Sequence, residues 1–162
     1  MEQESPSKKK WDERLKNLTP QDPTLPKAII VDVDGTLALM NGRIPYVPEV
    51  AHTDMPNQAI VDLVKNYHEF AKIIIVTGRD DTPLARTVLE EWLEEFGISY
   101  DAIHMRSKDD YRKDAIVKKE IFKAHIEGKY AVEFVLDDRA AVVEMWRHEL
   151  GLPCLQVYYG SF

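Results

Sequence analysis

The chain has 162 residues, is 44% hydrophobic and 30% charged, and carries a formal net charge of −7. That length suits one domain with a real core, and the acidity argues against a protein that coats nucleic acid by bulk charge. No apolar run approaches the roughly 20 residues of a membrane span, the N-terminus lacks an apolar secretory core, and the one cysteine, Cys154, excludes an intramolecular disulfide. A cytoplasmic protein with no membrane partner is therefore expected.

Residues 1–26 hold four of the nine prolines and a Lys8-Lys9-Lys10 run. They read as a tail or linker ahead of a domain at 27–162, with WDERLKNL as a short unsupported helix. AIIVDVDGTL, residues 28–37, is a short apolar run ending in a turn signal, hence a buried strand. Residues 38–50 contain Asn41-Gly42, a strong hairpin signal, and two prolines, so a small flap is expected there. Pro56 fits the first turn of a helix with Ile60, Val61, Leu63, Val64 and Tyr67 on its apolar side. KIIIVT, residues 72–77, is a second buried strand.

Thr82-Pro83 opens a helix in which Leu84, Val88, Leu89, Trp92, Leu93 and Phe96 recur at helical spacing, and Gly97 stops it. AIHM is a weak third strand, and a helix from about Arg112 to Ile126 buries Ile116, Ile121, Phe122 and Ile126. Residues 131–137 form a further strand, a helix covers about 139–150, and Cys154 to Tyr158 supplies the last strand with Cys154 as a buried thiol. Strands alternate with helices, which predicts an α/β fold: a Rossmann-like three-layer parallel sheet with helices on both faces. Between Arg106 and Lys123 seven Lys or Arg stand against four acids, a positive island in an acidic chain.

The chemistry concentrates where strands end. Asp32 and Asp34 are two residues apart and share a face of an extended chain, at the carboxyl end where open parallel sheets bind ligands. Two carboxylates so close repel unless a cation joins them or one keeps a proton. Mg²⁺ takes oxygen ligands and suits two acids plus phosphate. With no His or Cys in the set, Mn²⁺ is the other candidate, ahead of Zn²⁺. Thr77 ends the second strand and is followed by Gly78 and Arg79, Lys118 lies on the helix before the fourth strand, and Asp137-Asp138 end that strand.

The segment DVDGT resembles the first signature of haloacid dehalogenase-like phosphohydrolases, and Thr77, Lys118 and Asp137-Asp138 follow in that family's order. The resemblance implies covalent phosphoryl transfer. Asp32 is the nucleophile. Asp34 is the general acid and then base, starting protonated with a raised pKa. Thr77 and Lys118 offset charge on the phosphoryl oxygens. Asp32, Asp34, Asp137 and Asp138 form the metal set, with Asp138 supporting the metal or the lysine.

DVDGTLALMNGR, VTGR, RKDAIVKKEIFKAHI and LDDRAAVVEMWR together look like the 3′-phosphatase domain of bacteriophage polynucleotide kinase-phosphatases. This narrower resemblance covers about Lys27 to Phe162. It implies that Arg43, Gly78 and Arg79 bind substrate phosphate and that Asp114 orients Lys118. It also implies DNA or RNA 3′ ends as substrate, 2′,3′-cyclic phosphates as a further one, and a kinase or ligase acting on the same ends. No G-x-x-x-x-G-K-[ST] loop is present in the chain, so it is not expected to phosphorylate 5′ ends. A small-molecule phosphatase and a non-enzymatic phospho-receiver domain are the competing readings. The receiver places its lysine last, whereas here the second acid pair follows Lys118.

Overall fold

The computed structural model describes residues 17–44 and 47–160. Seven strands form: β1 Lys27–Val31, β2 Ala38–Leu39, β3 Met55–Pro56, β4 Lys72–Asp80, β5 Ala102–Arg106, β6 Ala131–Arg139 and β7 Cys154–Gly160. The helices are α1 Gln58–Tyr67, α2 Pro83–Glu95, α3 Asp114–His125 and α4 Ala140–Glu144, which continues as a π-helical turn, Met145–Glu149. Five strands make one sheet in the order β5-β4-β1-β6-β7, and every pairing in it is parallel.

Alternation along the central strands sends side chains to two cores. Ala28, Ile30, Ile74 and Val76 pack with Val117, Ile121, Phe122, Val142 and Trp146 of α3, α4 and the π turn. Ile29, Val31, Ile73 and Ile75 pack with Val61, Val64, Leu89, Trp92 and Leu93 of α1 and α2. The expected three layers are therefore present. From β1 the chain winds outward through β4 to β5, then crosses to β6 on the other side of β1. That reversal leaves a crevice at the carboxyl ends of β1 and β6, the place where doubly wound sheets bind ligands.

Several local expectations change. The flap is not a tight Asn-Gly hairpin, although Gly42 does take φ +65°. Its antiparallel pair is Ala38–Leu39 against Met55–Pro56, so the loop spans residues 40–54. Proline has no N–H for a returning ladder, and Pro48 instead opens a 3₁₀ turn, Pro48–Thr53. Pro56 lies in β3, and α1 begins two residues later behind Asn57. α3 starts at Asp114 and faces Val117, Lys118, Ile121 and Phe122 inward. Ile116 is thereby exposed, as are Leu84 in the first turn of α2 and Leu63 on α1.

The WDERLKNL helix and the Lys8 to Lys10 run lie outside the described residues, apart from Asn17 and Leu18, which form a turn and a bend. Nearby, Thr19 donates through its backbone to Gly151 O at 2.9 Å and through Oγ1 to Leu150 O at 2.8 Å. Gln21 Oε1 accepts from Val132 N at 3.0 Å. This stretch is thus tied to the domain by hydrogen bonds to both β6 and the end of the π turn. Among the described residues no helix is long and apolar enough to cross a membrane.

Cys154 is buried at the start of β7. Burial, and then the Asp137 charge, push its thiol up to about 12. Since the thiolate is the reactive form, iodoacetamide at pH 7.5 should label the native protein far more slowly than the urea-unfolded chain, as followed by intact mass. Equal rates would show that this thiol is neither buried nor neutral.

Candidate active site

Asp32 leaves β1 at the centre of the sheet and is almost fully buried. One carboxylate oxygen accepts from Thr36 Oγ1 at 3.0 Å, and the other accepts from Lys118 Nζ at 2.8 Å. The same amine donates to Asp137 Oδ2 at 2.9 Å and lies 3.5 Å from Asp114 Oδ2, one helical turn before it. Lys118 is therefore a buried cation inside three acids. Burial works against its charge, but Asp137, Asp32 and Asp114 outweigh it and hold the ammonium well above the usual lysine range. A helix lysine of this kind is normally solvated, and α3 turns it inward only because the strand ends supply its partners.

Asp137 is fixed from below. Its Oδ1 accepts from the backbone of Asp138 at 2.9 Å and of Arg139 at 3.2 Å, and Trp146 Nε1 donates to Oδ2 at 3.3 Å. The π-helical turn brings Trp146 there; such widened turns recur at functional sites. Asp138 lies against Gly35, whose φ is +85° and where an added Cβ would stand 2.2 Å from Asp138 Oδ2. Glycine in the DVDGT segment thus serves the second acid pair as well as the turn.

The carboxylates of Asp32, Asp137 and Asp138 offer oxygens that all lie within 4.8 Å of one another. Burial raises the Asp32 carboxyl well above its ordinary range; Lys118 opposes this, while Asp137 and Asp138 add to it. Burial and the Asp137 charge also raise Asp138. One lysine does not reconcile three converging acids, and an all-oxygen donor set suits a hard divalent cation. The residues fit Mg²⁺ on that ground.

Asp34 stands apart from this cluster. Its carboxylate receives Arg79 Nε at 2.9 Å and Nη2 at 2.8 Å, and Arg43 Nη2 at 3.4 Å. The expected raised pKa is not found. Burial alone would raise it, but the Arg79 hydrogen bonds and the charges of Arg79, Arg43 and Lys118 prevail and hold it below the usual carboxylate value. The raised carboxyls are Asp32 and Asp138, which face other acids instead of guanidiniums.

Both arginines are held from behind by Asp54. This buried acid accepts from Arg43 Nη2 at 2.9 Å, from Arg43 Nε, and from Arg79 Nη2 at 3.2 Å, while Trp92 Nε1 donates to its carbonyl at 2.9 Å. Asp54 has no sequence signal, since it is an isolated acid between the 3₁₀ turn and β3.

Thr77 is buried where the β4–β5 register breaks, and its Oγ1 accepts from Arg79 N at 3.2 Å. Gly78 lies under Asp114: an added Cβ would stand 2.4 Å from Asp114 Oδ1. Arg106 joins these parts. Its guanidinium donates to the carbonyls of Gly78 (2.9 Å), Asp110 (2.9 Å) and Arg112 (2.7 Å), and to Asp114 Oδ1 at 3.2 Å. It is the last residue of β5, at the same carboxyl side of the sheet as Thr77 and Asp137, and that position was the available clue.

The positive island is largely neutralised within the fold. Arg106 and Lys118 are turned inward. Arg112 pairs with Asp110 and Glu120, Lys119 with Glu149, and Lys123 with Glu127. Most of these pairs are local along the chain, and only Lys119–Glu149 joins two helical elements.

With acid pair, Thr, Lys and second acid pair gathered at one sheet end, the relatives are informative. Residues 26–162 match the family model described as polynucleotide kinase PNKP phosphatase domain. The chain belongs to this family. A protein of Autographa californica nuclear polyhedrosis virus, described as a bifunctional polynucleotide kinase/RNA ligase, is 35% identical over 133 residues. That alignment spans 79% of this chain and 19% of the viral protein. A chain in the structure of the Pnkp1/Rnl/Hen1 RNA repair complex is 48% identical with a TM-score of 0.86, over 90% of this chain and 46% of that one. A second Pnkp1/Rnl/Hen1 complex gives 48% identity and a TM-score of 0.85, over 89% and 50%. The chain thus spans half or less of these relatives. A haloacid dehalogenase-like hydrolase, SP0104 from Streptococcus pneumoniae, shares the fold at a TM-score of 0.56 and 15% identity, over 90% of this chain and 87% of that one. Residues 26–162 are thus a PNKP-type phosphatase domain on a haloacid dehalogenase-like fold.

Proposed function

We propose that this PNKP-type domain removes the 3′-phosphate from DNA or RNA ends through an aspartyl phosphate on Asp32, with Mg²⁺ or Mn²⁺ as cofactor. The observation that supports it best is Asp32 itself. It is locked by Thr36 and Lys118 at a crevice where Arg79 and Arg43 converge on Asp34.

A phosphate entering the crevice meets the two guanidiniums, which Asp54 already orients, so bidentate recognition costs little reordering. An Asp32 oxygen attacks phosphorus, and the 3′-oxygen leaves. Competition by the phosphate for Arg79 and Arg43 lets Asp34 take up a proton from solvent, which it then gives to the leaving 3′-oxygen. In the second half-reaction Asp34 takes a proton from water, which attacks the aspartyl phosphate; the arginines that hold its carboxyl below the usual range suit that step. Lys118 stays charged throughout and stabilises the added negative charge near Asp32. Asp32, Asp137 and Asp138 would hold the cation, which supplies Lewis-acid neutralisation of the phosphoryl oxygens. A 2′,3′-cyclic phosphate would be opened at the same centre. The kinase/ligase relative and the repair complexes support a kinase or ligase acting on the same ends.

The test compares phosphate release from a 3′-phosphorylated oligonucleotide, a nucleoside 3′-monophosphate and common sugar phosphates, each with Mg²⁺ and with excess chelator. The oligonucleotide should be the best substrate, chelation should abolish turnover, and Mg²⁺ should restore it. Because the positive island is internally paired, the oligonucleotide's advantage should persist with only a shallow salt dependence; each further phosphate contact on a single strand would add roughly 0.7 log unit of affinity loss per log unit of salt. A sugar phosphate as best substrate would establish a small-molecule phosphatase, and full turnover in chelator would remove the metal.

A further inference from the structure

The two faces of the sheet are covered unequally. Cys154 packs with Val142 and Trp146 in the first core, so α4 and the π turn close one face of β7. On the other face the helices packed among the described residues are α1 and α2, which meet mainly β1 and β4. Past α1 that face continues over β6 and β7 with no described helix on it. Phe134 and Val157 are only partly buried there. Leu155 pairs with buried Leu136, so it shares this face, and it is 47% exposed. Phe134 lies diagonal to it across the ladder, within reach of a large side chain.

The surface extends toward α1. Tyr67 meets Phe134 edge-on with ring centroids 5.0 Å apart, and Phe70 at 5.9 Å. Phe70 is 69% exposed. Parallel strands are normally covered on both faces. The seven residues of β7, CLQVYYG, include no charge that would keep a bare edge strand in water.

The chain itself holds a matching stripe. Trp11, Leu15 and Leu18 stand at i, i+4 and i+7, on one side of the short helix expected over WDERLKNL. Leu18 is 40% exposed. Its neighbour Thr19 is fixed to Leu150 and Gly151, just ahead of β7, so the segment departs from the amino end of that strand. A helix that comes down from the carboxyl side and feeds β1 runs antiparallel to the strands, as crossover helices of a parallel sheet do. Its rise from Leu18 to Trp11 would be about 10 Å, and β7 climbs about 10 Å from Cys154 to Val157. Stripe and strand therefore match in length.

We propose that residues 11–18 pack on this face, with Trp11, Leu15 and Leu18 over Phe134, Leu155 and Val157. Asp12, Glu13, Arg14 and Lys16 then stay in water. The segment closes the open layer and braces β6, whose carboxyl end carries Asp137 and Asp138. It makes no use of the phosphate crevice, so it stands apart from the reading of the reaction.

The test labels the tryptophans of the full chain with fluorotryptophan and follows them by fluorine NMR, with Trp11→Phe to assign the Trp11 signal. Trp92 and Trp146 are buried and serve as internal references. Trp11 should show only a small fraction of the H2O-to-D2O shift of free fluorotryptophan, as the two references do. Leu155→Lys, at an exposed position, and Leu15→Ser, in the segment itself, should each bring Trp11 to the full shift and leave Trp92 and Trp146 unmoved. A fully exposed Trp11 in wild type would overturn the proposal. Protection that survives both substitutions would overturn it by placing the segment elsewhere. Protection lost on dilution, with a doubled mass in sedimentation at high concentration, would overturn it in favour of a second copy on this face.

Discussion

Asp32→Asn should remove turnover while leaving the fold in place. The amide is isosteric, so its oxygen still accepts from Lys118, which now lies 2.8 Å from Asp32 Oδ1, and its nitrogen faces the Thr36 hydroxyl. What disappears is the nucleophile. Loss of a covalent nucleophile costs on the order of 10⁴- to 10⁶-fold in kcat. Removing one charge also relieves the crowding with Asp137 and Asp138 that raises this carboxyl, so the melting temperature should not fall by more than a few degrees. Phosphate release from a 3′-phosphorylated oligonucleotide, beside a thermal melt of the same preparation, makes the comparison. Activity near wild type in the purified variant would rule out an aspartyl phosphate at this residue.

Lys118→Met should cost both activity and stability. The thioether fills the space of the lysine stem, but Asp32 and Asp137 then face each other across 2.8 and 2.9 Å contacts that have lost their cation. Removing one partner of a buried pair costs about 3–5 kcal/mol, because the other charge stays buried and uncompensated. For a chain of this size that lowers the melting temperature by roughly 10 °C. Lys119→Met is the matched control: its amine pairs with Glu149 at the surface at 3.0 Å, and such pairs are worth about 0–1 kcal/mol. Added Mg²⁺ should recover part of the stability lost in the Lys118 variant, since a cation among Asp32, Asp137 and Asp138 takes over some of the neutralisation. A Lys118 variant that melts with wild type would mean that the acid cluster does not depend on this amine.

The parts legible in sequence were those carried by strand ends. Short apolar runs bounded by Asp32, Thr77 and Asp137 set the sheet, its two faces and three of the site's corners, because alternation and chain termination are local properties. The flap was less legible. Gly42 does take the left-handed turn, yet the ladder forms through Leu39 and Met55, a pairing that local turn rules do not reach. Asp54 was invisible for the same reason: its role comes from two arginines that are near it only in space. Asp34 shows the reverse failure. It was expected to hold a proton, yet Arg79 and Arg43 keep its carboxyl below the usual range; Arg79 had been assigned to the substrate alone and not also to Asp34. The positive island was a true count of charges, but the count did not show that Arg112 closes on Asp110 and Glu120 inside the island or that Lys119 and Lys123 reach Glu149 and Glu127 beyond it.

The position of β1 in the sheet has a consequence for how the protein comes into being. Val31 pairs with Ile75 on one side and Leu136 on the other, so the strand made first is completed by one made much later. A chain emerging from the ribosome presents Asp32, Thr77 and Lys118 before either Asp137 or Asp138 exists. Closing that long loop is slow relative to local helix formation. On the proposed mechanism the site is therefore completed in one step with β6, and shorter nascent forms would carry Asp32 without Asp137 and Asp138.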